Sequence, residues 1–276
     1  MNIQSIICWQ CHKKVDKEGN TQFFNDQYKH RVNIDNTRFY QFTCPEGHLN
    51  FAIQGNNKFE ILYELGIEAY NDEFFREAVT NFASAVERFH EYCIMLFLAP
   101  KSLEEFNIAV SNQKVIAKYS ERQYGAFFML FLKLLNFAPP VLDEKFLKKH
   151  MLKLSVDNPI NFRNNIIHQG YIPTKEECIS YAKITSFYIN EILEQIYTWN
   201  ADIIKNTNKF FIDSLKSEIK KEKNINGDVL IMKTRSFVGA SNFYENSKKE
   251  IDFNEHLYLM NLISKRSRDL PFTLKK

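Results

Sequence analysis

Two sets of side chains in this sequence have the types and spacing to do chemistry. The first lies in Arg163-Asn164-Asn165-Ile166-Ile167-His168-Gln169-Gly170-Tyr171. An arginine stays charged and grips phosphate oxygens two at a time. A histidine takes up and gives back protons near neutrality. Together they suit chemistry at a phosphate. Asn164 and His168 are four residues apart and share a helix face, whereas Arg163 and His168 are five apart and converge only through the reach of the arginine. A site built this way is loose in one chain and sharper where two copies meet across a two-fold axis. The plainer reading stays open: Arg163 is a surface cation, and His168 is a helix-end residue favoured by the dipole.

The second set is Cys8-Trp9-Gln10-Cys11 and Cys44-Pro45-Glu46-Gly47-His48, separated by β-like residues that include Arg31–Ile34 and Arg38–Phe42. Two short ligand pairs joined by a hairpin form the layout of a tetrahedral structural zinc site, with Cys8, Cys11, Cys44 and His48 as ligands. The usual zinc ribbon, which this stretch resembles, carries two cysteines in its second knuckle; here His48 takes the fourth place, with His12 its nearest rival and His30 a spare. A segment of this size has too little core to stand alone, so a metal can supply the folding energy. The pattern Cys8-x-x-Cys11-His12 also matches haem c attachment, which leaves Cys44 and His48 unused. A thioredoxin-like pair would need a βαβ context that is missing. Incidental cysteines are the remaining alternative.

The elements that must position these groups are mostly helices. Asn158 caps a short helix with Pro159 at its first position, where a missing N–H costs nothing. Gly170 stops that helix, being the residue that tolerates a left-handed cap. Ile166 and Ile167 are expected to anchor it. Thr174 and Glu177 form a capping box that starts the next helix, Lys175–Trp199. Upstream, helices are expected over Lys58–Tyr70, Phe74–Leu98, Leu103–Lys118, Glu121–Phe137 with Ser120 as cap, and Glu144–Leu154. The Phe74–Leu98 helix carries a broad apolar face of Ala78, Val79, Phe82, Val86, Phe89, Cys93, Leu96 and Phe97. Cys93 and Cys178 read as core. Glu87, beside His90 and Glu91, reads as a solvated helical carboxylate that could also reach a site. Beyond Trp199 the pattern predicts a helix over Asp202–Lys223, a strand at Val229–Met232, a loop at Ser241–Lys249, a short helix over Asn254–Lys265 and a basic tail, Lys265-Arg266-Ser267-Arg268 with Lys275-Lys276.

Composition sets the frame. The chain has 276 residues, 45% hydrophobic and 25% charged, with only 8 Gly and 7 Pro, which favours long helices over a turn-rich β fold. The net charge of +3 permits nucleic-acid binding without arguing for it. Five cysteines, an odd number, suit a reducing compartment and a metal site. No basic, apolar leader opens the sequence and no run of about 18 apolar residues appears, so a cytoplasmic protein without a membrane span is expected. The expected organisation is a zinc-ribbon-like segment over 1–55, a helical domain over 56–199 and an extension over 200–276. The fold class is mainly α.

The helical segment 57–199, with Ala78-Val79-Thr80-Asn81-Phe82-Ala83-Ser84-Ala85-Val86-Glu87 in its long second helix and Arg163-Asn164-x₃-His168 near its end, resembles the HEPN superfamily. The resemblance implies a helical bundle and a metal-independent endoribonuclease that works as a homodimer, its two motifs forming one cleft. It further implies a toxin or antiviral, abortive-infection effector, acting on tRNA or another structured RNA and attended by an antitoxin or trigger. In that scheme His168 moves protons, Arg163 binds the scissile phosphate and Asn164 orients one of them. RNA brings its own nucleophile, the 2′-OH. The products would end in a 2′,3′-cyclic phosphate and a 5′-OH, and Zn2+ would be structural. Two other readings compete: a non-catalytic HEPN module that binds nucleotides or partner proteins, and a zinc-ribbon nucleic-acid-binding regulator.

Overall fold

The computed structural model describes residues 3–8, 11, 29–33, 35–156, 158–232, 236–239 and 253. The expected loop Ser241–Lys249, the whole of the expected final helix Asn254–Lys265, the basic tail and His12 lie outside them. Five strands come first and last: β1 Ile3–Ile7, β2 Lys29–Asn33, β3 Phe39–Thr43, β4 Leu49–Gln54 and, far along the chain, β5 Leu230–Met232. Between β4 and β5 run α1 Lys58–Asn71, α2 Phe75–Leu98, α3 Leu103–Gln113, α4 Ser120–Leu135, α5 Glu144–Lys149, α6 Pro159–His168, α7 Lys175–Trp199 and α8 Ala201–Glu222. The protein is mainly α, as its composition and periodicity predict. Among the described residues no helix is long and apolar enough to cross a membrane.

The chain divides into two units, Met1–Asn56 with Leu215–Thr234 and Tyr258–Lys276, and Asn57–Ser214 with Arg235–Leu257. The segment 200–276 is therefore not a body of its own; its residues are shared between the two.

In the first unit β1 and β2 pair antiparallel, Ile3 opposite Asn33. β3 and β4 form a second antiparallel pair, and β5 joins β4 in parallel with Ala52 opposite Leu230. Alternation along these strands sends residues to two faces. One face carries Tyr40, Phe42, Ala52 and Met232 against Cys8, Cys11 and Cys44. The other carries Phe39, Ile53 and Ile231 against Ile219 from the last turn of α8, with Ile225 and Val229.

In the second unit α2 is the hub, packing on α1, α3, α4, α6 and α7. Its apolar face is buried from Ala78 to Phe97 as the spacing requires, Cys93 included, and Cys178 of α7 is buried too. Gly66 of α1 makes room for α2, because a Cβ there would lie 2.4 Å from the Phe82 ring. Several polar groups in this core are paired across it, as burial favours. Asn208 of α8 accepts from the Asn57 amide and from the Tyr92 hydroxyl, each at 3.2 Å. Tyr63 donates to the Ala182 carbonyl.

His90 is buried between Phe127 and Tyr188, with its Nε2 2.8 Å from the Tyr188 hydroxyl oxygen. Burial, helped by the charge of Arg88, holds its pKa down to about 3 against an ordinary 6.5. The unfolded chain therefore binds a proton here below 6.5 that the folded chain refuses until about 3. This contribution to stability is complete above 6.5 and shrinks as pH falls toward 3. Urea midpoints of the wild type should drop between pH 7 and pH 5, and His90→Phe should flatten that drop while lowering the midpoint at pH 7. An unchanged slope would remove His90 as its source.

Several helix boundaries differ from the sequence expectation, three of them for reasons the structure makes plain. α3 stops at Gln113 rather than Lys118, where the chain tightens into i→i+3 turns and the Gln123 amide takes the Ala117 carbonyl. α4 starts one residue early, with Tyr119 at the N-cap and Ser120 already helical, so Ser120 is not the cap. α5 stops at Lys149 rather than Leu154, because Met151 takes a left-handed φ of 53° and the Leu152 N–H closes back on Leu147.

Candidate functional site

The Arg163 helix, α6, is fixed at both ends by local chemistry. Asn158 accepts from the Ile160 and Asn161 N–H groups, and Pro159 follows at the first helical position. Gly170 takes a φ of +73°, which a side chain would resist, and the Tyr171 N–H turns back to the Asn165 carbonyl. The Thr174–Glu177 capping box is present in both directions. Tyr171 adds its hydroxyl to both Glu177 oxygens, at 2.9 and 3.0 Å. Burial raises the Glu177 pKa, and hydrogen bonds from Ser155, the Thr174 backbone and Tyr171 outweigh it, so the carboxyl is held below its usual range. Phe162 and Ile166, four apart, are the buried anchors; Ile167 is only half-buried.

Arg163 leaves α6 toward α2. Its Nη2 donates to Glu87 Oε1 at 2.6 Å, and its Nη1 donates to Asn164 Oδ1 at 3.0 Å. Glu87 is therefore not a solvated carboxylate. It is 28% exposed, as is Arg163, and pairs with an arginine 76 residues away. No local pattern announces that partner; the only signal is that Glu87 is a charge beside the apolar face of α2. At this exposure an ion pair is worth on the order of 1 kcal/mol, so it orients the guanidinium without locking it. A phosphodiester offering two charge-assisted bonds competes with it on even terms.

His168 is exposed in the last turn of α6. Among the described residues no hydrogen bond or ring contact joins it to Arg163. The structure thus brings Arg163, Asn164 and Glu87 together and leaves His168 on the outer face, which it shares with Asn161, Asn164 and Asn165 at three- and four-residue spacing.

The cysteine set of the first unit does converge. Cys11 Sγ lies 3.6 Å from Cys44 Sγ and 3.3 Å from His48 Nδ1. His48 Nδ1 is 3.5 Å from Cys44 Sγ and 3.8 Å from Cys8 Sγ. All four donor atoms lie within 4.8 Å of one another. A tetrahedral ion with bonds of about 2.3 Å to sulfur and about 2.0 Å to nitrogen sets donors roughly 3.5–3.8 Å apart. The group fits such an ion, so Cys8, Cys11, Cys44 and His48 could hold a metal ion such as zinc.

The β3–β4 turn explains the second pair. Gly47, with a φ of +79°, lets its N–H reach the Cys44 carbonyl at 2.9 Å while the Cys44 N–H takes the His48 carbonyl at 3.0 Å. That closed turn points both donors the same way. Asn50, two residues on, was not legible as part of the site. Its amide donates to Cys8 Sγ at 3.2 Å and to the His48 carbonyl at 2.9 Å. Burial raises the Cys8 thiol, and hydrogen bonds from the Cys11 N–H, Asn50 and the neighbouring thiols outweigh it, bringing the pKa down to about 7. Cys11 is pushed the other way, to about 12, by burial and by its two cysteine neighbours. Three buried thiols and a half-buried imidazole converging in this way could hold a cation, which would remove both protons.

No family model, curated protein or solved structure matches this chain.

Proposed function

We propose that the helical unit is a HEPN-type endoribonuclease that cuts RNA by attack of its own 2′-OH, without a catalytic metal. The observation that carries this reading is the held guanidinium of Arg163. Glu87 and Asn164 fix it from two sides while His168 stands exposed on the outer face of the same short helix. Arg163 grips the scissile phosphate and stabilises its crowded transition state. His168 moves the proton of the 2′-OH or of the leaving oxygen. Asn164 holds Arg163 by its oxygen and keeps its amide hydrogens for substrate. The separation of His168 from Arg163 within one chain favours a homodimer in which each site draws on two motifs. A toxin or abortive-infection effector, acting on tRNA or a similar structured RNA and governed by an antitoxin or trigger, is the role that accords with such an activity. We further propose that the ion at Cys8, Cys11, Cys44 and His48 is Zn2+ and is structural.

The test is cleavage of total RNA by the purified protein during minutes in EDTA, with bound zinc counted in the same sample and DNA as control. RNA-only cutting with 2′,3′-cyclic phosphate and 5′-OH ends supports the reading. Linear 3′-phosphate ends, or equal cutting of DNA, would end it.

The Glu87 pair also favours a second reading, a non-catalytic module in which Arg163 serves packing. The two differ in what Glu87 does. For the enzyme, Glu87→Ala lets the guanidinium wander and lowers kcat by roughly tenfold, since small misplacements of a catalytic group are expensive. Glu87→Gln keeps an acceptor and most of the rate. Steady-state kinetics that find kcat unaltered in Glu87→Ala would leave the pair a packing contact only. The zinc-ribbon regulator is separated from both by DNA affinity that survives His168→Ala.

A further inference from the structure

The face of α6 opposite its buried anchors opens on a cleft of about 790 Å³, within the range of about 300–1,000 Å³ usual for small-ligand sites. Its floor is an unusual run of carboxamides: Asn158, Asn161, Asn164, Asn165 and Gln169. Asn158 is spent on capping α6 through its oxygen, and Asn164 gives its oxygen to Arg163. Asn161, Asn165 and Gln169 have no side-chain hydrogen bond among the described residues, so each offers one donor and one acceptor group to whatever enters. Asp143, Glu144 and Lys145 form part of the wall. Asp143 Oδ1 already accepts the Phe146 N–H, and Glu144 pairs with Lys148. With Lys145 and Lys148 beside them, the two carboxylates leave this wall close to neutral and still present oxygens that accept hydrogen bonds. They welcome a neutral, planar ligand that carries N–H groups.

We infer that this carboxamide-lined cleft beside Arg163 and Asn164 binds a nucleobase with an exocyclic amino group, adenine above all. A carboxamide matches the N6–H and N7 of adenine with two hydrogen bonds. The second N6 proton can go to a carboxylate. Uracil has no amino group, and its carbonyl oxygens would face Asp143 and Glu144. A purine also fills more of the space than a pyrimidine. Asn164 joins the two places: its oxygen holds the arginine proposed to take the phosphate, and the residue also lines the cleft. The inference rests on the ribonuclease reading of the same helix and adds the base that the enzyme selects next to the bond it cuts.

The experiment titrates AMP, GMP, CMP and UMP into the full chain by calorimetry, using wild type, His168→Ala, Asn161→Leu/Asn165→Leu and the isosteric Asn165→Asp. AMP should bind roughly tenfold more tightly than UMP. That preference should persist in His168→Ala and fall at least tenfold in the leucine pair. Should the leucine pair melt early, Asn165→Asp, which removes two donors at unchanged shape, supplies the comparison and should weaken AMP likewise. Equal affinities for the four nucleotides, no AMP binding, or AMP binding unchanged in both cleft variants would each overturn the base site. Cleaved RNA sequenced at its ends separates the two ideas. Cutting with no adenine beside the cut sinks the cleft and leaves the nuclease; AMP selectivity in a protein that never cuts RNA sinks the nuclease and leaves the cleft.

Discussion

His168→Ala should lower RNA cleavage by roughly 10²–10⁴-fold, the usual worth of a positioned general acid or base. The side chain is exposed and makes no hydrogen bond among the described residues, so the fold should not notice its loss. Melting temperature and the helical circular dichroism are expected to stay at wild-type values. Arg163→Ala should be about as damaging, through loss of the charge that faces the phosphate. It differs in one respect: Glu87 then keeps a half-buried carboxylate without its guanidinium, so a small loss of stability should accompany the loss of rate. Arg163→Lys keeps the charge but not the fork that serves Glu87 and Asn164 at once. It should recover stability and little of the rate. The double variant should be no worse than the worse single one, because the two groups act on one transition state. Cleavage that continues in His168→Ala at the wild-type rate would place the chemistry elsewhere and end the assignment.

Removing the metal is the second large expected effect. Among the described residues, three of the seven in the buried cluster on this side of the small sheet are the candidate ligands Cys8, Cys11 and Cys44. That face is therefore arranged around the candidate metal donors rather than merely beside them. Zinc in comparable small sites contributes about 10–16 kcal/mol of apparent binding energy, more than the whole stability of many domains. Stripping it with a strong chelator, or replacing Cys11 by Ser, should unfold the first unit. Hydrogen exchange should show the amides of Phe39–Thr43 and Leu49–Gln54 losing protection, while α2 and α7 keep theirs. Cys93→Ser, at a buried cysteine outside the set, serves as control and should leave the metal content alone. A protein that carries less than about one zinc per chain as purified, or whose β3–β4 amides ignore the chelator, would refute the structural role.

How much of this could be read from the sequence depended on how local the physics was. The boundaries of α6 and the start of α7 were legible because capping is decided within four residues: Asn158 with Pro159, Gly170, then Thr174 with Glu177. The buried face of α2 was legible because burial follows helical periodicity. The metal set was legible because two tight turns leave their donors in the sequence side by side. Glu87 was not, since its partner Arg163 lies across the helical core and an exposed glutamate and a paired one look alike in one dimension. Asn50 escaped for the same reason: its amide finds Cys8 only once β4 is paired. Ile167 was expected in the core and is only half-buried, because the four-residue spacing from Phe162 selects Ile166 instead. The parallel pairing of β5 with β4 leaves no mark in either strand.

That pairing sets an order of events. β5 reaches β4 only after all of the chain between Gln54 and Leu230 has been made, and the second face of the sheet waits for Ile219 of α8. On the ribosome the helices of the second unit emerge in the meantime and can pack from largely local contacts. The β3–β4 hairpin emerges first and is finished last. During that interval one apolar face has the cysteine knuckles beside it while the other waits for Ile219; an ion held by those knuckles would make its loading a folding step of the nascent chain, and metal scarcity would be felt as a failure of synthesis before it was felt as a failure of the finished protein.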